Sequence, residues 1–364
     1  MKHMAGASQA PGRMGRQSVN LRPAASPSRR VYFLVIANEA MLKASGGGTL
    51  TQGCRALFSD FEINGNQIIA KETGAQIPLT TGFFRDAWRI ASFIGIVQGL
   101  RASRIMRGRE PRARISFFPK KPKPYYAIWP VCQLADVKIV DDPTEADLHF
   151  YFEDREFLTA PRLAPSNKPA FNVGCSDIRK SVVARRFEEV FGYSLSIDPL
   201  THQGRAVEKS EANGKHDGRI VDCPLASPSR DLVYQRLVDN TFDGKEFVDI
   251  RTPVVGGKIP FVYLKRRARD LRFSNENHRV DLVPADVMLS AREQAKITEF
   301  AAAMALDFGG LDVLRDREDG RIYIVDANKT DMGPPSALSG QEKLAAMRGL
   351  AAAFAELVDA RLSA

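Results

Sequence analysis

The stretch Phe308–Pro335, FGGLDVLRDREDGRIYIVDANKTDMGPP, decides the reading of this chain. Leu311–Leu314 and Arg321–Val325 are short β-prone runs, and the acidic Asp316–Gly320 between them is turn chemistry that closes an antiparallel hairpin. Asp312 then lies opposite the second strand. Asp326 and Asn328 are two residues apart, so in an extended chain their side chains leave the same face. Two carboxylates and an amide carbonyl are hard oxygen ligands. A set this small leaves positions open for phosphate oxygens, which suits Mg2+ carried by a nucleotide better than an all-protein cage. On spacing alone, an acidic hairpin with a solvated face accounts for the same residues.

Working outward, 364 residues with 44% hydrophobic and 26% charged side chains suffice for two or three packed domains and exclude a disordered chain. Cys54, Cys132, Cys175 and Cys223 are scattered without a CxxC pair, which argues against a zinc knuckle or a disulfide framework and fits a reducing cytoplasm. The first thirty residues lack the apolar core of a signal peptide, and Phe83–Leu100 is interrupted by Arg85, Asp86, Arg89 and Gln98, which argues against a membrane span. Of the net charge of +9, Met1–Arg30 carries +6 and Arg101–Lys123 carries +8, leaving −5 for the rest. The basicity is therefore local, and the half that holds the hairpin is not a general polyanion binder.

Residues 1–30 read as a basic flexible tail and 31–170 as an N-terminal α/β domain. Val31–Ile36 is a strand candidate. Gly46–Thr49 resembles a phosphate loop without the Lys-Ser/Thr that would complete one. Phe83–Leu100 is patterned as an amphipathic helix, and Arg101–Lys123 reads as a solvated linker, with contact to an anionic surface as the alternative. Nucleic acid is disfavoured because no stacking aromatics are interleaved before Phe117. From Ile115 onward, β-prone runs alternate with short helical ones, which implies a parallel or mixed sheet. Helices are expected over Asp177–Phe191, capped by Ser176 or Asp177, over Ala291–Leu306 and over Gln341–Leu362.

The hairpin and the order of motifs before it resemble the ATP-grasp superfamily, in particular D-alanyl-D-alanine ligase-like and ribosomal-protein-modifying glutamate ligase-like enzymes. Their magnesium site, an Asp followed on the next strand by Glu-x-Asn, is similar to Asp312, Asp326, Ala327 and Asn328, followed by Thr330 and Gly333. Asp326 stands where the family has Glu, and Leu311 stands near an Arg that the ligases place before the first Asp. The resemblance covers roughly 171–335. It implies an α/β ATP-grasp fold, two α+β subdomains (171–236 and 237–364) gripping ATP, preceded by a small α/β pre-grasp domain.

It also implies site residues. Lys180 and Lys209 would reach the ATP phosphates, with the loop at Gly214–Gly218 folding over them. Gln235, Leu237 and Val238 would hold adenine and Glu246 the ribose. Arg251 and Lys265 would stabilise the transferring phosphoryl group, with an Asp249–Arg251 ion pair as the purely structural alternative. Asn275, Asn277 and His278 would contact substrate. The implied cofactors are ATP and Mg2+, with Mn2+ as an alternative. The implied reaction activates a small-molecule or peptide carboxylate as an acyl phosphate for attack by an amine or another nucleophile. Two other readings stay open: a nucleotide-binding protein without ligase activity, and an interaction protein that binds a membrane or polyanion. A homodimer is also left open.

Overall fold

The computed structural model describes residues 61–70, 76–160, 162–211, 217–268 and 277–364. The chain divides into Met1–Ser59 and Asp60–Ala364, and all described residues belong to the second unit. The tail, the Val31–Ile36 strand, the Gly46–Thr49 loop, Gly214, Lys215, His216 and Asn275 lie outside the described residues.

Strands β1 (Phe61–Asn64), β2 (Gln67–Ala70) and β3 (Gln76–Pro78) form a small antiparallel sheet. Helix α1 (Thr81–Met106) follows, its first turn capped by the Thr80 hydroxyl, which accepts from the Phe83 N–H at 3.2 Å. It continues past Leu100, and the chain then enters β4 (Ala113–Pro119), so most of Arg101–Lys123 is not a linker. The reason lies in packing: Arg104 donates to the Gln133 carbonyl at 2.6 Å and pairs with Asp136 at 3.1 Å, tying the last helical turns to the sheet. Among the described residues no helix is long and apolar enough to cross a membrane.

With α2 (Ile128–Leu134), β5 (Val137–Val140), β6 (Leu148–Phe152) and β7 (Ala170–Phe171), β4 builds a parallel sheet in the order β5-β4-β6-β7. All five residues of β6 are buried, as befits a parallel strand covered on both faces. Helix α3 (Lys180–Phe191) comes next. It starts at Lys180 after Arg179, and neither Ser176 nor Asp177 is its N-cap, because the Asp177 carboxylate is drawn instead to the Arg179 backbone N–H and guanidinium.

Strands β8 (Gly204–Ser210), β9 (Arg219–Cys223) and β10 (Leu232–Arg236) form a three-stranded antiparallel sheet in the order β10-β8-β9. The remaining strands are β11 (Thr241–Phe242), β12 (Glu246–Val255), β13 (Val262–Ala268), β14 (Arg279–Val283), β15 (Phe308–Arg315) and β16 (Ile322–Asn328). They make a six-stranded antiparallel sheet in the order β14-β13-β12-β15-β16, with β11 paired to β12. Between them run α4 (Ala285–Met288) and α5 (Ala291–Ala303), and α6 (Gly340–Leu362) closes the chain. Capping boxes at Ser290 with Glu293 and at Ser339 with Glu342 set the starts of α5 and α6.

Alternation divides the large sheet into two faces. Val248, Ile250, Leu264, Leu311, Val313 and Ile324 join a buried cluster with Val183, Ala184 and Phe187 of α3 and Ile297 and Phe300 of α5. Helix α3 therefore packs on this sheet. On the other face, Val255, Tyr263 and Phe308 join the core formed by α2, α6 and the parallel sheet. That face also carries a cluster of charged residues.

Candidate functional site

The hairpin β15–β16 pairs Asp312 directly with Asp326 and Gly310 with Asn328, and a register shift between Asp312 and Val313 re-aims the strand beside the carboxylates. On the neighbouring strand Arg251 lies opposite Asp312, and beyond it Lys265 lies opposite Asp249. Directly opposed residues share a face, so Asp249, Arg251, Lys265, Arg267, Asp312 and Asp326 form one charged surface. Arg251 Nη1 is 3.0 Å from Asp312 Oδ1, and Lys265 Nζ is 3.9 Å from the same oxygen.

Arg251 does not pair with Asp249. Its Nη2 donates to Asp331 Oδ1 at 2.7 Å, while Asp249 accepts from Arg267 and, at 2.9 Å, from the Asn240 amide. Arg251 and Asp249 leave the same face of β12, but cross-strand neighbours supply the partners of each. Sequence reading missed Asp331, which sits in a loop without periodicity. It also passed over a usable signal, the Gly309-Gly310 doublet inside a strand. A Cβ on Gly310 would lie 2.5 Å from Asp331 Oδ2 and 2.7 Å from Arg251 Nε, so glycine there lets the guanidinium cross the strand.

Two lysines approach from other elements. Lys209, on β8, directs its Nζ to 3.5 Å from the Val325 carbonyl, and Lys180, at the start of α3, donates to the Glu211 carbonyl at 3.1 Å. The charges divide the two carboxylates sharply. Burial would raise Asp312, but the Arg251 guanidinium and the Lys265 ammonium hold it down at about 2. Burial, reinforced by Asp312, pushes Asp326 up to about 6 against the pull of Lys180 and Lys209. Burial also pulls Lys209 down to about 8, against the attraction of Asp326.

Lys209 and Gln235 share a face of the three-stranded sheet, because Lys209 pairs with Val233 and Val207 with Gln235. Gln235 is buried, and among the described residues its Nε2 has no hydrogen-bond partner. Leu237 is half-buried and Val238 buried just beyond β10. Leu311 lies in the apolar core, so no cation acts from that position.

Asn328 shares the face of Asp326 and also has a partner of its own, whereas Glu246 and His278 lie elsewhere. Asn328 Oδ1 accepts from the Thr330 N–H at 2.9 Å and lies 3.3 Å from its hydroxyl, so the amide oxygen caps a turn. Glu246 is an odd number of residues from Asp249 and so lies on the opposite face, where it pairs with Arg266 at 3.2 Å and His278 at 2.9 Å. The structure thus keeps Glu246 and His278 apart from the carboxylate pair. Asn277 directly precedes His278 and β14. Thr330 Oγ1 donates to Asp154 Oδ1 at 2.8 Å, which links the hairpin to the segment after β6.

Among the described residues, no group of three or more Asp, Glu, His or Cys side chains is arranged to hold a metal. A cation would therefore rest on the Asp312–Asp326 pair and draw its other ligands from a bound molecule. The pair suits a hard divalent ion: its donors are carboxylate oxygens, and Asp326 is buried with too little positive charge to keep its proton affinity normal.

No family model and no curated protein matches the sequence. Solved structures that align with this chain include the ATP-grasp ligase PsnB complexed with a phosphomimetic variant of minimal precursor, Mg and ADP, at 11% identity over 68% of this chain and 99% of that one, TM-score 0.44. The D-cycloserine synthetase DcsG aligns at 11% identity over 67% and 99%, TM-score 0.42. The macrocyclase MdnC bound with precursor peptide MdnA, from Microcystis aeruginosa MRC, aligns at 12% identity over 64% and 98%, TM-score 0.38.

Proposed function

We propose that this chain is an ATP-grasp ligase that activates a carboxylate with MgATP and joins it to an amine or another nucleophile. The observation that carries this reading is the convergence of Asp312, Asp326, Arg251, Lys265, Lys180 and Lys209, which arrive from six different elements on one half-buried, charged surface. Here the Asp326 carboxyl and the Lys209 ammonium are both driven toward neutrality, as expected of groups that await charged partners.

Asp312 and Asp326 would hold Mg2+, which when bound neutralises phosphate charge. Mn2+ suits the same oxygen donors. Lys209 and Lys180 would meet the phosphates, and the unpaired Gln235 amide and the apolar Leu237 and Val238 would meet the base. Lys265, at the edge of the carboxylates, would bear on the transferring phosphoryl group. Arg251 is committed to Asp312 and Asp331, so its first role is to position Asp312, with any direct contact to the phosphoryl group additional. Glu246 would meet the ribose and Asn275, Asn277 and His278 the substrate only from outside this carboxylate pair.

That commitment of Arg251, with Leu311 apolar, favours a second reading, a nucleotide-binding protein without ligase activity. The deciding experiment is incubation with MgATP and a panel of carboxylates and amines, with ADP release and melting temperature both measured. Stabilisation by MgATP with carboxylate-dependent ADP release supports the ligase. Stabilisation alone supports the second reading. Absence of both removes the nucleotide site.

A further inference from the structure

A cavity of about 180 Å3 lies beside the site, lined by Phe93 and Ile94 of α1, Tyr125, Pro335, Ser336 and Lys343 of α6. Its wall includes Met332 and Gly333, directly after Asp331. The segment after Asp331 pairs with the one before α2, the Ala127 N–H donating to the Asp331 carbonyl at 2.9 Å and the Gly333 N–H to the Tyr125 carbonyl at 3.1 Å. Asp331 thus holds Arg251 through its side chain while its backbone anchors the cavity wall.

Lys343 is unlike any other group in this wall. Lysine is rarely buried without a counter-charge, yet Lys343 is 3% exposed and, among the described residues, its ammonium donates to one acceptor, the Ser336 carbonyl at 3.1 Å, and pairs with no carboxylate. Asp86 is too distant for a salt bridge and is opposed by Arg89; both act on Lys343 through space. An ammonium has three N–H donors, so among the described residues two lack a protein acceptor, at the edge of a cavity whose other walls are mainly aromatic and aliphatic. The volume is below the roughly 300 Å3 at which pockets for drug-sized ligands begin, which restricts an occupant to about the size of one amino acid.

We propose that this cavity binds a small organic carboxylate with an apolar body, its carboxylate on the Lys343 ammonium and its body against Phe93, Ile94 and Tyr125. The inference is drawn from the cavity alone and stands whether or not the chain ligates anything. A plain apolar acid and an apolar amino acid share this chemistry.

Isothermal titration of the full chain without nucleotide tests it, using 3-phenylpropionate, L-phenylalanine and the uncharged 3-phenylpropanol. The wild type is expected to bind at least one of the carboxylates about tenfold or more tighter than the alcohol, the preference that a charge-assisted contact supplies. Tighter binding of L-phenylalanine assigns the site to amino acids, and tighter binding of 3-phenylpropionate assigns it to plain acids. Lys343→Met keeps the apolar volume and should erase the preference for the carboxylate. Ile94→Trp keeps the ammonium, fills the cavity and should abolish binding of all three, so the inference stays testable if the Lys343 variant fails to fold. A wild type without preference for a carboxylate, a preference that survives Lys343→Met, or undiminished binding by a folded Ile94→Trp would each overturn it. Because no arm contains ATP, failure here is separable from failure of the nucleotide reading.

Discussion

The two faces of the six-stranded sheet share every backbone hydrogen bond and differ in almost everything else. One face presents Val248, Ile250, Leu264, Leu311, Val313 and Ile324 to α3 and α5 and carries its charges, Glu246 and Arg266, at one end. The other presents Asp249, Arg251, Lys265, Arg267, Asp312 and Asp326, a set of opposed charges whose carboxyls are split between about 2 for Asp312 and about 6 for Asp326. The first face gains stability from burial. The second is costly to assemble and is tolerated because each charge is partly answered by another, with Asp326 the least answered.

The largest test of this contrast is Arg251→Met. It leaves Asp312 and Asp331 without their shared guanidinium, and urea unfolding should show a loss of about 3–5 kcal/mol. A loss under about 1 kcal/mol would mean that the charged face is solvated and not a buried network. By the same logic Asp312→Asn destabilises, because Arg251 loses a partner, so the two carboxylates are not equivalent in folding.

On the apolar face Ile324→Ala should cost about 2–5 kcal/mol by chemical denaturation, the usual range for emptying a filled core position, and should leave affinity for MgATP unchanged. A loss of nucleotide affinity in a variant that remains folded would show that the faces are coupled.

A third test separates phosphate from base. Lys209→Ala should weaken ATP binding by about 1.5–3 kcal/mol and adenosine binding by much less, because only the phosphates meet the ammonium. Equal losses by calorimetry would place Lys209 outside the phosphate site.

The smallest effect is in pH dependence. The folded-state value of Asp326, about 6, stands above the roughly 3.9 of an unfolded aspartate, so the folded protein binds more protons between the two values. Its contribution is therefore a penalty that is complete above pH 6, fades as pH falls, and is absent below roughly pH 4. Asp312 runs the other way: its folded-state value of about 2 lies below the unfolded one, so its stabilisation is present above roughly pH 4 and is lost as pH falls toward 2. Asp326→Asn should raise stability at pH 7 by about 1–2 kcal/mol, with the difference from wild type shrinking toward pH 4. A difference that does not depend on pH would mean that Asp326 titrates normally.

The sequence by itself determined the elements that depend on local pattern. The hairpin around Asp316–Gly320, the facing of Asp312 and Asp326 and the parallel sheet from Ile115 onward all follow from period-two alternation, turn residues and strand-helix succession. The helices near 291 and 341 follow from apolar periodicity, and their capping boxes became visible in the structure. Tertiary structure alone decided what depends on neighbours distant in sequence. Arg251 is given to Asp312 and Asp331 instead of Asp249, Glu246 is turned away by one step of strand parity, and Asn328 is spent on Thr330. The basic segment Arg101–Lys123 depends on such neighbours too. A run of arginines looks like a linker until Arg104 meets the end of α2 and the strand after it meets a sheet. Spacing along one strand says which face a side chain leaves, but its charge partner is chosen by the adjacent strand, and that adjacency exists only once the sheet has closed.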